Sequence, residues 1–151
     1  MPMRTVLLCF FLVSSGAMAN AAYDIMIEAI RDNDLEWLEA IASDEDLMAR
    51  ASIEPWTPLH EAAWLNKAGA AEILLNHGAD INARDGNGWT PLHVSVRKGW
   101  FEISHFLIIN KASGYVKDCE EKTPVEYVQP ANPLFLTVVL QSLLNKAADE
   151  S

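Results

Sequence analysis

The sequence predicts an all-α solenoid of about four stacked units with degenerate units at both ends, and three observations carry the prediction. Thr57-Pro58-Leu59-His60 returns as Thr90-Pro91-Leu92-His93 and, in worn form, as Thr123-Pro124-Val125-Glu126, a step of 33 residues each time. A fixed period of that size marks a stacked-repeat protein, in which each unit is too small to bury its apolar face alone and neighbours share one core. Before the first tetrapeptide, Ile25-Met26-Ile27-Glu28-Ala29-Ile30 and Leu35-Glu36-Trp37-Leu38-Glu39-Ala40-Ile41 have the three-to-four spacing of two short amphipathic helices. After the last, Phe135, Leu136, Val139, Leu140, Leu143 and Leu144 share one half of a helical cylinder.

Taken in order, the chain opens with Arg4, the apolar run Val6-Leu7-Leu8-Cys9-Phe10-Phe11-Leu12-Val13 and the ending Ala17-Met18-Ala19. A basic start, a short apolar centre and a small-x-small end describe a secretory signal peptide over residues 1–19, with cleavage expected after Ala19. The run is too short for a membrane-spanning helix of about 20 residues. The remaining residues, 20–151, number four times the period. The first unit, about 24–56, lacks the tetrapeptide, and Leu47-Met48-Ala49-Arg50 matches Ile81-Asn82-Ala83-Arg84 only with one inserted residue. An atypical end unit is expected where solvent replaces a neighbour.

The second and third units, about 57–89 and 90–122, hold the clearest copies, in which Ala62-Ala63 and Ile73-Leu74-Leu75-Asn76-His77-Gly78-Ala79-Asp80-Ile81-Asn82-Ala83-Arg84-Asp85 sit at set offsets from the tetrapeptide. With these residues the chain resembles the ankyrin repeat family. The resemblance implies helix-turn-helix units: an inner helix opened by the tetrapeptide, an antiparallel outer helix, and a hairpin-like loop leading to the next unit. In the last unit, about 123–147, Gln129-Pro130-Ala131-Asn132-Pro133 replaces the inter-helix turn, with Asn132 placed as an N-cap and Pro133 at the first helical position. The helix that follows is expected to close the array, and Leu134 and Val138 intrude on its polar side.

The chain carries 11 Lys plus Arg against 21 Asp plus Glu, and the charge is uneven. Residues 20–75 hold 3 basic and 12 acidic side chains, whereas 76–151 hold 7 and 9. Nucleic acid and anionic lipid surfaces would repel such a chain. Cleavage would leave Cys119 as a lone thiol, so the fold must stand on apolar packing without an internal disulfide. An export signal without paired cysteines or an Asn-x-Ser/Thr site points to a bacterial periplasm.

Catalysis needs a nucleophile, a base or a metal cluster in mutual reach, and the four histidines offer no such grouping. The resemblance gives His60 and His93 a buried hydrogen-bonding role between units. His77 falls at an outer-helix end, and His105 on an outer helix facing water. Asp44-Glu45-Asp46 lacks the glycine and distal Glu of a calcium loop and reads as a solvated turn. The expectation is a non-enzyme with no catalytic residue, no cofactor and no metal.

Surface roles come from the resemblance alone. The two positions after the Ala-Ala pair, and the loop positions before each Thr-Pro, vary in the family and face partners. Here they hold Trp64, Leu65, Arg97, Lys98, Trp56, Arg84, Trp89, Lys117 and Lys122, with Arg31 and Asp32 at the equivalent place in the first unit. Trp and Arg dominate interface hot spots because they cover large areas and offer a directed polar group. Against that stands a structural role, since an aromatic before Thr-Pro can fold over its own hairpin; Trp64 is the best binding candidate, and Trp37 and Trp100 read as packing. The partner is then another protein, met by a chain that is monomeric when free. Two jobs compete: an immunity or inhibitor protein against an exported toxin or hydrolase, and an accessory factor for a periplasmic enzyme such as catalase.

Overall fold

A computed structural model describes residues 18–128, and every regular element among them is helical. The helices are α1 (Met18–Asp32), α2 (Leu35–Ala42), α3 (Glu45–Ala51), α4 (Pro58–Trp64), α5 (Ala68–Asn76), α6 (Pro91–Lys98) and α7 (Phe101–Ile109), followed by a 3-10 helix, Pro124–Tyr127. The apolar run of the expected export signal and the expected closing helix both lie outside the described residues. Two rows stack side by side: α1, α4, α6 and the 3-10 helix form the inner row, and α2, α5 and α7 the outer row.

The 33-residue step seen in the sequence is also the step of the core. Met26, Leu59 and Leu92 occupy one register, Ile30, Ala63 and Val96 a second, and Ile41, Leu74 and Leu107 a third, all buried. Each unit therefore supplies one apolar side chain to each layer, and removing one opens a hole in a stack. Truncating a buried Leu of this kind costs about 2–5 kcal/mol.

The turns between inner and outer helices obey the same step. Asn33, Asn66 and Gly99 stand at φ 57°, 56° and 74°. At each, the next backbone N–H closes on a carbonyl five residues back: Asp34 on Ala29, Lys67 on Ala62 and Trp100 on Ser95, at 3.0, 2.9 and 3.0 Å. This is the left-handed helix stop that leaves no carbonyl orphaned. It is what sends the chain back along the outer row.

The tetrapeptide works as a helix start. Thr57 and Thr90 cap α4 and α6 with Pro58 and Pro91 in the first turn, and the backbone N–H of each Thr donates to the Nδ1 of its own His, at 3.2 and 3.0 Å. Nδ1 is thus an acceptor, which leaves the proton on Nε2. From there His60 donates to the carbonyl of Trp89 at 2.9 Å and His93 to that of Lys122 at 3.2 Å. Both rings are fully buried. Burial pushes both imidazoles below their ordinary range, more than the accepting carbonyls of Trp89 and Lys122 raise them, so each is a neutral strut from a helix start to the last residue of its unit, next to the following helix start.

The first unit departs from the sequence expectation in two ways. Its inner helix is already formed at Met18, the first described residue, well before the run starting at Ile25. Asp44-Glu45-Asp46, expected as a solvated turn, opens the extra helix α3: Asp44 accepts from the N–H groups of Asp46 and Leu47 at 3.0 and 3.2 Å. Met48 and Ala51 are buried beneath it. Where later units carry a hairpin, this one carries a helix packed on α1 and α2.

Candidate protein-binding face

The two hairpin loops are built alike and set Trp89 and Lys122, the residues that precede Thr90-Pro91 and Thr123-Pro124. Asp85 accepts from Asn87 N and Trp89 N at 2.8 and 2.7 Å, and Asp118 accepts from Glu120 N and Lys122 N at 2.8 and 3.0 Å. Gly88 lies in the left-handed region at φ +78°, where a Cβ would stand 3.1 Å from Cys119 N and 3.2 Å from Asp118 Cα. The absent side chain lets Cys119 N–H reach Asn87 O at 2.9 Å, joining one loop to the next. Arg84 adds a second tie through Nη2 to the Lys117 carbonyl at 2.9 Å.

Buried carboxylates then fix the indoles. Glu61 accepts from Trp56 Nε1 at 2.9 Å and from Arg31 Nε at 2.8 Å. Asp118 accepts from Trp89 Nε1 at 3.0 Å and from the Tyr127 hydroxyl. Burial alone would raise the Asp118 carboxyl, but hydrogen bonds from Tyr127, the Lys122 and Glu120 backbone and Trp89 outweigh it and hold it at about 2. The same bond to Asp118 raises the Tyr127 hydroxyl, so it stays a donor at neutral pH.

On these rings sit cations. Trp56 meets Trp64 edge-on at 6.1 Å, and Lys98 Nζ stands 3.3 Å from the centroid of the Trp64 ring. Trp89 and Tyr127 lie 5.5 Å apart, with the Arg97 guanidinium 4.7 Å from the first and 5.8 Å from the second. Lys122 Nζ approaches Tyr127 at 5.6 Å and pairs with Glu120 at 2.7 Å. Cation–ring contacts of this kind contribute about 0.5–1 kcal/mol at exposed sites.

Six of the nine expected surface residues therefore come together as two groups: Trp56, Trp64 and Lys98 in one, and Trp89, Arg97 and Lys122 in the other. Arg84 and Lys117 belong to the loop row instead, where Lys117 also pairs with Glu121 at 3.2 Å. Leu65 is half-buried against the core. Trp64 is exposed, while Trp56 and Trp89 are half-buried with their N–H groups satisfied. Trp37 packs on the core, and Trp100 donates Nε1 to the Trp64 carbonyl at 3.0 Å. His77 pairs with Glu39 at 2.8 Å, and His105 is half-buried and stacks on Phe101.

Sequence reasoning missed Glu61, Asp118 and Tyr127. Asp118 repeats Asp85 at the 33-residue step, a signal that could have found it. Among the described residues no cluster of three His, Cys, Asp or Glu side chains could hold a metal ion, and no helix is long and apolar enough to cross a membrane.

Comparison with known proteins matches residues 66–108 to the family model described as ankyrin repeats, many copies. Human protein phosphatase 1 regulatory subunit 27 is 30% identical over 108 residues, covering 70% of this chain and 70% of that protein. A probable 26S proteasome regulatory subunit p28 of Saccharomyces cerevisiae is 33% identical over 96 residues, 62% of this chain and 42% of its own length. The potassium channel AKT1 of Oryza sativa is 36% identical over 85 residues, 56% of this chain, which spans 9% of the channel's length.

Proposed function

The chain belongs to the ankyrin repeat family, and from that premise we propose that it is a non-enzymatic module exported to the periplasm, where it covers an exported toxin or hydrolase as its immunity or inhibitor protein. Ankyrin repeats make it a protein–protein interaction module. Two of the relatives bear the name of a regulatory subunit, which supports a chain that works on another protein. The carrying observation is the pair of aromatic–cation groups along the inner row, held by Glu61 and Asp118. Rings fixed before binding lose little entropy when a partner covers them.

Within that strip Trp64 is the anchor, because it is exposed, broad and braced by Trp56 and Lys98. The test is affinity capture of exported proteins by the wild-type chain and by Trp64→Ala, followed by assay of the captured protein's activity. The expected result is one client, inhibited on binding, with affinity reduced by about 2 kcal/mol or more in the variant. Unchanged capture by the variant would remove the strip as the site. A client whose turnover is sustained rather than blocked, a catalase for example, would replace inhibition with the accessory role.

A further inference from the structure

Arg97 and Lys98 are neighbours at the end of α6, both exposed, in a chain with nearly twice as many acids as bases. Among the described residues, Arg31, His77, Lys117 and Lys122 each reach a carboxylate, whereas Arg97 and Lys98 have no carboxylate at ion-pair distance and lie on aromatic rings instead. A ring binds a cation through its face, and a guanidinium stacked on a ring keeps its in-plane N–H groups for a carboxylate. An ammonium on a ring likewise keeps the donors that point away from it.

Both platforms are fixed from below. Asp118 holds Trp89 and Tyr127, between which Arg97 lies, and Glu61 holds Trp56, whose ring braces Trp64 under Lys98. Two adjacent cations with limited freedom and unused donors are a receptor whose ordering cost is already met by the fold. We propose that Arg97 and Lys98 form a preorganised clamp for neighbouring carboxylates on an acidic segment of the partner protein. This rests on the inner-row strip being the binding face. By sequence, residues 76–151 hold 7 of the 11 basic side chains, whereas residues 20–75 hold 3 basic and 12 acidic ones. Screening over about 8 Å at physiological salt keeps those acids from cancelling a contact made at the clamp.

The test titrates the full chain with a blocked hexaglutamate peptide, following the indole N–H resonances of Trp64 and Trp89, with hexaglutamine and inorganic phosphate as comparison probes. Saturable shifts are expected with hexaglutamate alone, and binding should weaken by about tenfold in the double variant Arg97→Gln, Lys98→Gln, which stays folded with melting lowered by no more than the loss of the two cation–ring contacts. Arg97→Lys should restore part of the affinity, because charge returns without the bidentate fork. No saturable shift, an equal response to hexaglutamine, or full binding by the double variant overturns the clamp. An equal response to phosphate overturns its assignment to an acidic peptide. Loss of client capture in Trp64→Ala together with silence toward hexaglutamate would leave the binding face standing and remove only the acidic ligand; the reverse pair of results would do the opposite.

Discussion

Gly88 and Glu121 occupy the same place in successive hairpins, and exchanging their residue types should move stability in opposite directions. Gly88 stands at φ +78° and Glu121 at φ +62°. Gly88→Ala puts a side chain into a left-handed residue, at about 1–2 kcal/mol. The new Cβ would meet Cys119 N at 3.1 Å and Asp118 Cα at 3.2 Å, straining the Cys119–Asn87 bond that joins the loops, for about 1 kcal/mol more. The total is a loss on the order of 2–3 kcal/mol. Glu121→Gly relieves about 1–2 kcal/mol at its own position. Against that stand about 0.5–1 kcal/mol of extra chain freedom in the unfolded state and up to about 0.5 kcal/mol from the exposed ion pair with Lys117. The net lies between a loss of about 0.5 and a gain of about 1.5 kcal/mol, centred on a gain of about 0.5 kcal/mol. Glu121→Ala, which loses the ion pair and keeps the backbone strain, should be slightly destabilised and so separates the two causes. Urea denaturation of the full chain, read by far-ultraviolet circular dichroism, measures all three. A neutral Gly88→Ala, or a Glu121→Gly that loses as much as Gly88→Ala, would refute the assignment of strain to these positions.

Acid should loosen the array through its imidazoles. Both His60 and His93 have folded values below the ordinary 6.5, so the unfolded chain takes up protons first; their contribution is complete above pH 6.5 and drains away below it, by at most about 1.4 kcal/mol per pH unit for each ring. Melting temperature should fall between about pH 7 and 5, and replacing both rings by Gln, which can still cap the helix start, should flatten that slope; an unchanged slope would refute the neutral-strut reading. Asp118→Asn turns an amide N–H toward either two backbone donors or Trp89 and Tyr127, and should cost about 2–3 kcal/mol in denaturation. Because that carboxyl is held at about 2, its own contribution is complete above pH 3.8 and vanishes as the pH drops toward 2, which a melting series below pH 4 would reveal. Export should release a chain starting at Asn20, and intact-mass measurement finding Met1 on exported protein would contradict cleavage.

What the sequence made legible was whatever recurs with its own residue type. Thr57 and Thr90, with their Pro and His, could be read as helix starts, and the structure shows the same residues capping α4 and α6. The inner-to-outer turns recur equally strictly, yet only the resemblance implied them, because Asn33, Asn66 and Gly99 meet one backbone demand with two side-chain types. The helix α3 was missed for the opposite reason. Asp44-Glu45-Asp46 is a good first turn with no counterpart in later units, and its carboxylates were weighed only as a calcium loop or a solvated turn. For the binding face, position within the unit found the aromatic and basic residues. Their pairing was not legible: whether Lys98 lies on Trp64 or reaches a carboxylate depends on rotamers shared between two units, and no single unit contains that choice.

The bond from His60 to the Trp89 carbonyl gives the molecule a direction. In the second and third units the helix start is tied to the last residue of the same unit, through an oxygen that lies 29 residues further along the chain. A chain threading out of a pore from its amino end leaves each imidazole waiting for oxygen still to emerge, so each of these units stays unlatched until its own last residue arrives. A deletion that took away Trp89 or Lys122 with its neighbours would strand a ring with nothing to hold.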